Sequence, residues 1–230
     1  MTRLDLSLDE GPRRFREEFV LRVIDGALHK PTVYENPFMA APRFVLASGS
    51  PRRSAVLAAA GFTFEVAIPD VDETRFPGES AAAMVERLAA IKANAISDIT
   101  AVVLGVDTTV VLDGVPLGKP RDEEDAVATL LRLSGREHVV LSGWAILHEE
   151  RVASAVERTV VAMHAIDRAT AEAYAASGEP MDKAGAYAIQ GDGGAFVASI
   201  SGSFHNVMGM PVEALTPALA RFDISPASRP

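Results

Sequence analysis

The feature that most narrows the fold of this chain is an alternation. From Arg43 onward, apolar runs of strand length take turns with segments whose apolar residues recur at helical spacing. "FVLAS" (44–48) predicts a strand, Pro51 to Ala60 a helix, "FEVAI" (64–68) a second strand, Ser80 to Ile96 a longer helix, and "AVVLGVD" (101–107) a third strand. The pattern then changes. "VVLDGVPL" predicts a hairpin turning at Asp113-Gly114. The stretch 138–166 reads as two long β-branched strands joined around Glu149 and Glu150. Asp122 and Asp167 are placed to cap helices over Glu123–Leu133 and up to Gly178, and a last helix follows Pro211. Crossovers and hairpins in one chain predict an α/β fold with a mixed central sheet and flanking helices.

The first forty residues stand apart. A polar start is followed by an amphipathic segment, Pro12 to Leu28, with Phe15, Phe19, Val23 and Ala27 at helical spacing. A strap with three prolines, "HKPTVYENPFMAAP", comes next. We expect an N-terminal extension over 1–41, one catalytic domain over 42–225 and a short tail over 226–230. The extension's helix would pack on the body or on a partner subunit, which would suit a homodimer.

Composition removes several classes of function. The 230 residues carry a formal net charge of -9, against the basic excess of a nucleic-acid binder. Cysteine is absent, which excludes disulfides, thiolate metal sites and cysteine nucleophiles. No apolar run has the length of a membrane span, and the charged start is unlike a secretory signal. A cytoplasmic protein is the expectation. His138, His148, His164 and His205 show no ligand spacing and read as structural or surface residues.

In this acidic chain, Arg52 and Arg53 sit one turn into a helix, just after the small loop Ala47-Ser48-Gly49-Ser50. Ser50 suits an N-cap and Pro51 the first helical position. Cations at a helix N-terminus are unfavourable by up to about 1 kcal/mol unless an anion sits there. Helix starts and arginine forks both match phosphate. A plain surface arginine pair is the other reading.

Three more charges are oddly placed. Lys92 extends the row Met84, Leu88, Lys92 on a helix face that should be buried. Asp107 ends the apolar run "AVVLGVD", where α/β sheets place ligands. Lys119 lies in "LGKP" between a hairpin and a helix. Capping or solvated roles remain open for each alone. With Glu73 in "PDVDE", they form two carboxylates amid cations, the composition of a metal-assisted phosphate site. Lys183 in "MDKAG" either lines the same cleft or pairs with Asp182 in a glycine-rich turn.

Seven blocks in order, "LASGSPRR", "VDE", "RLAAIKA", "LGVDTTVVLDGVPLGKP", "LSGREH", "SGEPMDKAGAYAIQG" and "NVMGMP", resemble the Maf family of nucleoside triphosphate pyrophosphatases. The resemblance spans about Phe44 to Phe222. It implies two lobes around a cleft, an ITPase-like fold, and hydrolysis of a nucleoside triphosphate to monophosphate and pyrophosphate with Mg²⁺ or Mn²⁺. It implies that Asp107 is the proton acceptor and that Glu73, Lys92 and Lys119 complete the active centre, with Asp107 and Glu73 toward the metal. Ser48, Arg52 and Arg53 match the loop that holds the triphosphate. Arg52, Thr108 and Gln190 match the specificity positions of the branch that acts on dTTP and UTP. Gln190 offers an amide donor and acceptor, which suits a pyrimidine edge. The departures are Thr109 and Trp144, where aliphatic residues are usual, and the mild variant "NVMGMP". A pyrophosphatase for modified nucleotides, or a nucleotide-binding regulator of cell division and septum formation with little turnover, are the competing expectations.

Overall fold

The computed structural model describes residues 42–227 apart from 97 and 99. The helix expected over Pro12 to Leu28, and the dimer contact it would suit, lie outside the described residues. No helix among the described residues is long and apolar enough to cross a membrane.

The first half forms crossover units. Strand β1 (Phe44–Ala47) is buried along its whole length. Helix α1 (Pro51–Ala59) starts at a proline, whose fixed φ suits the first turn. It leads to β2 (Glu65–Ala67), and then α2 (Ala81–Asn94) is capped by the Ser80 side chain. Strand β3 (Val102–Leu112) follows. Parallel β1 and β2 pair, as do β1 and β3.

The second half is antiparallel. Asp113 and Gly114, both at positive φ, turn β3 into β4 (Val115–Leu117), as the sequence predicted. Asp122 caps α3 (Glu123–Leu133) by accepting from the Asp125 amide at 2.8 Å. Strands β5 (Glu137–His148) and β6 (Arg151–Met163) form the long hairpin, with Glu149 at its tip at positive φ. Asp167 caps α4 (Arg168–Ala176), and short 3-10 turns lead to β7 (Val197–Ser201). Two short helices close the chain, α5 (Phe204–Val207) and α6 (Val212–Ala220). The mixed sheet runs β2-β1-β3-β5-β6-β7, with β4 added to β3. Strand β7 and helix α5 had no distinct signal. Their five and four residues are too short to show a period.

Two differences from expectation matter for the site. Asp107 does not end a strand: β3 continues through it to Leu112. Ser50 has N-cap backbone geometry, but its side chain makes no capping bond. The first turn of α1 therefore keeps its donors open.

Strands β3 and β5 run through two large cores, and a smaller third one packs Ala89 and Ala93 of α2 on Val45, Val103 and Ala145. One end packs Leu46, Leu57, Leu104, Ile146, Leu215 and Leu219. The other packs Leu112, Leu130, Leu133, Val140, Val161 and Tyr174. A fully buried leucine contributes about 2 kcal/mol to each.

The edge of β3 explains where a cleft can open. Strand β5 covers one edge from Val103 to Val111. On the opposite edge, β1 stops at Gly105 and β4 begins only at Val110. Val106, Asp107, Thr108 and Thr109 face a gap between these two partners. Asp107 thus lies just past the carboxyl end of β1, although it is mid-strand in β3.

Candidate active site

A cavity of about 420 Å³ opens at this gap. Neighbouring residues on a strand point to opposite faces. Because the edge is uncovered, Asp107 from one face and Thr108 from the other both line the same cavity. The loop and start of α1 add Ser48, Arg52 and Arg53. Glu73, Lys92 and Lys119 come from the β2–α2 loop, α2 and the β4–α3 loop. Lys183 and Gln190 come from the turns before β7. All ten candidates singled out in the sequence meet here.

At the floor is a three-membered charge cluster. The Lys92 ammonium donates to Asp107 Oδ1 at 2.6 Å and lies 2.8 Å from Glu73 Oε1. Lys92 and Asp107 side chains are 8% and 10% exposed, whereas Glu73 is 58% exposed at the mouth. A buried lysine needs this pairing, since an uncompensated charge there would be costly. What delivers it is a glycine seat. A Cβ on Gly105 would lie 2.1 Å from the Ala89 carbonyl oxygen, and one on Gly143 would lie 2.2 Å from that of Val85. Helix α2 therefore rests its backbone on the sheet, and its last turn brings Lys92 to Asp107. A lone glycine in a strand is the sequence signal for such a close approach.

Arg53 is fixed inside the protein. Its Nε donates to Gly209 O at 3.0 Å, Nη1 to Val106 O at 2.8 Å and Ser48 Oγ at 3.2 Å, and Nη2 to Thr108 Oγ1 at 3.2 Å. Val106 O is a carbonyl of the uncovered β3 edge, so Arg53 takes the part of the missing strand. Burial lowers its pKa, while Asp107 and Glu73 act the other way. Ser48 Oγ accepts from Arg53 and from the Ser50 amide at 3.2 Å. Its own proton is left to donate to an anion.

The rim carries cations. Arg52 Nη1 lies 3.8 Å from Asp182 Oδ2 across the mouth, and Lys183 also pairs with Asp182. Lys183 therefore both lines the cleft and pairs with its neighbour. Lys119 is exposed and has no ion-pair partner among the described residues. Tyr187, on the wall, shares a hydrogen bond of 2.8 Å with His138 Nε2. Burial pushes the Tyr187 phenol up and His138 down to about 4, so the pair is neutral at pH 7. His138 is buried behind the cleft wall.

Among the described residues no three His, Asp or Glu side chains cluster to hold a metal ion. Asp107 and Glu73 give two hard carboxylates facing the cavity. That set fits Mg²⁺ or Mn²⁺, which are often held by one or two carboxylates plus substrate phosphates.

Comparison with known proteins gives the family. Residues 43–222 match the family described as Maf-like protein. The chain belongs to the Maf family. A Maf relative from Symbiobacterium thermophilum, named dTTP/UTP pyrophosphatase, is 47% identical over 182 residues, 78% of this chain and 94% of the relative. One of the same name from Myxococcus xanthus is 51% identical over 172 residues, 73% of this chain and 86% of its own. A third, from Vibrio cholerae, is 46% identical over 187 residues, 80% of this chain and all of the relative. A solved HAM1 protein from Coxiella burnetii covers 78% of this Maf chain and 99% of its own at a TM-score of 0.44 and 16% identity, too distant to carry an argument.

Proposed function

We propose that this Maf-family chain hydrolyses nucleoside triphosphates, dTTP and UTP foremost, to the monophosphate and pyrophosphate. The observation that carries the reading is the Lys92 ammonium clamped between Asp107 and Glu73 beneath a rim of cations. The names of the Maf relatives support the choice of substrate. Phosphoryl transfer asks a protein chiefly to position groups and stabilise charge. In the reaction, water oxygen bonds to the α-phosphorus, the bond from that phosphorus to the α–β bridging oxygen breaks, and pyrophosphate leaves with the electron pair.

Asp107 Oδ1 is held by Lys92, which leaves Oδ2 to orient the water and accept its proton. Lys92 stabilises charge growing on the α-phosphate. The open donors of α1, the Ser48 hydroxyl and Arg52 bind phosphate oxygens, and Lys119 and Lys183 meet the leaving pyrophosphate. Asp107 and Glu73 are the residues that would hold a divalent metal, which supplies neutralisation of phosphate charge and acidification of water. Gln190 at the rim reads the carbonyl and N–H edge of the base.

The test is pyrophosphate release from dTTP, UTP, CTP, GTP and 7-methyl-GTP with Mg²⁺ and with Mn²⁺. Fast release from dTTP and UTP is expected. Asp107→Asn should lower kcat about 10²- to 10⁴-fold with the fold retained. Wild-type rates in that variant would remove Asp107 from the chemistry.

A further inference from the structure

Between the two cores the sheet carries buried polar groups that neither the charge cluster nor the rim uses. Ser142 and Asn206 are both 0% exposed. Ser142 stands directly across from Thr108 in the β3–β5 pairing. Their hydroxyl oxygens are 2.9 Å apart. On its other side Ser142 Oγ donates to the Asn206 carbonyl at 3.5 Å. Asn206 is itself tied down, its Nδ2 donating to Val140 O at 3.2 Å and to Thr159 Oγ1 at 3.0 Å. Three residues beyond Asn206, Gly209 offers its carbonyl to Arg53 Nε. Arg53 Nη2 closes the circuit on Thr108. With the Gly209 amide donating to the Asn206 carbonyl at 2.9 Å, Arg53, Thr108, Ser142, Asn206 and Gly209 form one ring that runs from the gap in the β3 edge back to β5.

Counting protons shows how the ring works. A hydroxyl has one proton and two lone pairs. Thr108 accepts from Arg53, and its proton goes to Ser142, or to Gly209 O at 3.4 Å. In both arrangements the Thr108 proton stays within the protein. Arg53 likewise commits Nε, both protons of Nη1 and one of Nη2 to the protein. These two cleft-lining residues therefore shape the floor, and Ser142 lies behind both.

We propose that Ser142 is a positioning residue: through Thr108 and Asn206 it fixes Arg53 across the open strand edge and so sets the place of the Ser48 hydroxyl and the Gly209 wall around the triphosphate. The proposal deepens the reading of the cleft as a triphosphate site and rests on it for its kinetic readout. Removing the Ser142 hydroxyl leaves Thr108 with only Arg53 and the long 3.4 Å contact to Gly209 O, and so loosens the Nη2 end of Arg53. Ser48, which receives Arg53 Nη1, then loses its fixed orientation.

The experiment compares Ser142→Ala, Thr108→Val, the double variant and Ser142→Thr. For each, kcat and KM for dTTP, the Kd for inorganic tripolyphosphate and Tm are measured. Ser142→Ala should raise KM and the tripolyphosphate Kd together by about three- to tenfold, with kcat moving less. The double variant should be no worse than the poorer single one, because both substitutions break the same ring. Ser142→Thr keeps the hydroxyl and should stay near wild type. A Ser142→Ala protein with lowered Tm but wild-type KM and Kd would overturn the proposal, as would additive effects in the double variant. Wild type that releases no pyrophosphate from any nucleotide would defeat the proposed function alone, and the tripolyphosphate Kd would still decide the role of Ser142. If Ser142→Thr does not fold, the Ser142→Ala and Thr108→Val pair carries the decision.

Discussion

The two ends of β3 and β5 serve the cleft in different ways. At the β1 end, helices α1 and α2 deliver charge: Arg52 and Arg53 from the first, Lys92 from the second. At the β4 end the buried polar contact behind the wall is neutral, His138 with Tyr187, and the cations Lys119 and Lys183 stay at the rim. The difference shows how a site can be charged and still fold before any ligand arrives. Lys92 sits in the last turn of α2, where the helix dipole favours it, and two carboxylates pair with it. Arg52 sits at the unfavourable end of α1, with one contact of 3.8 Å to an exposed aspartate. One cation is satisfied by the fold, and the other waits for an anion.

Breaking the charged end should have the largest effect. Lys92→Met leaves Asp107 buried beside Glu73 with no cation between them. We expect a loss of about 3 kcal/mol in denaturant unfolding, at the low end for a buried pair because Glu73 is 58% exposed. Turnover should fall with it. Unchanged stability would mean that the glycine seat and the apolar face of α2 hold the helix without the Lys92 cluster.

The neutral end responds to pH instead. Unfolded His138 takes a proton near its ordinary 6.5, folded His138 only near 4. Between those values the unfolded chain binds more protons, so stability falls as pH falls, by roughly 3 kcal/mol across the window. Thermal midpoints measured from pH 7 to pH 4 should show that slope, and His138→Gln should flatten it.

Gly143→Ala tests the seat itself. The added methyl meets the α2 backbone and should cost about 2 kcal/mol, with a drop in kcat as Lys92 is lifted from Asp107. Loss of stability with unchanged kcat would show that Lys92 can follow its partner. The smallest effect belongs to Arg52→Ala. It should raise the stability of the free protein by a few tenths of a kcal/mol while raising KM for dTTP. A loss of stability would place Arg52 with Lys92 as a cation the fold requires.

Much of this was legible in the sequence, because periodicity and caps are local. The hairpin at Asp113-Gly114 and the cap at Asp122 each depend on a few adjacent residues. Lys92 stood out because a charge interrupted an apolar face. The gap in the β3 edge left no local mark, since it depends on where β1 and β4 stop rather than on β3. For the same reason the apolar run up to Asp107 predicts an end to a strand that continues to Leu112. The ring through Ser142 and Asn206 joins residues 64 positions apart, and nothing local sets that serine apart from an ordinary strand serine.

The uninterrupted strands also limit how the protein can move. From Val103 to Val111, β3 pairs residue by residue with β5, straight through the level of the cleft. A hinge needs a few residues whose φ and ψ can swing, and a closed ladder offers none there. The two large cores share this spine. Asp107 and Thr108, both within that ladder, are held in one place relative to β5.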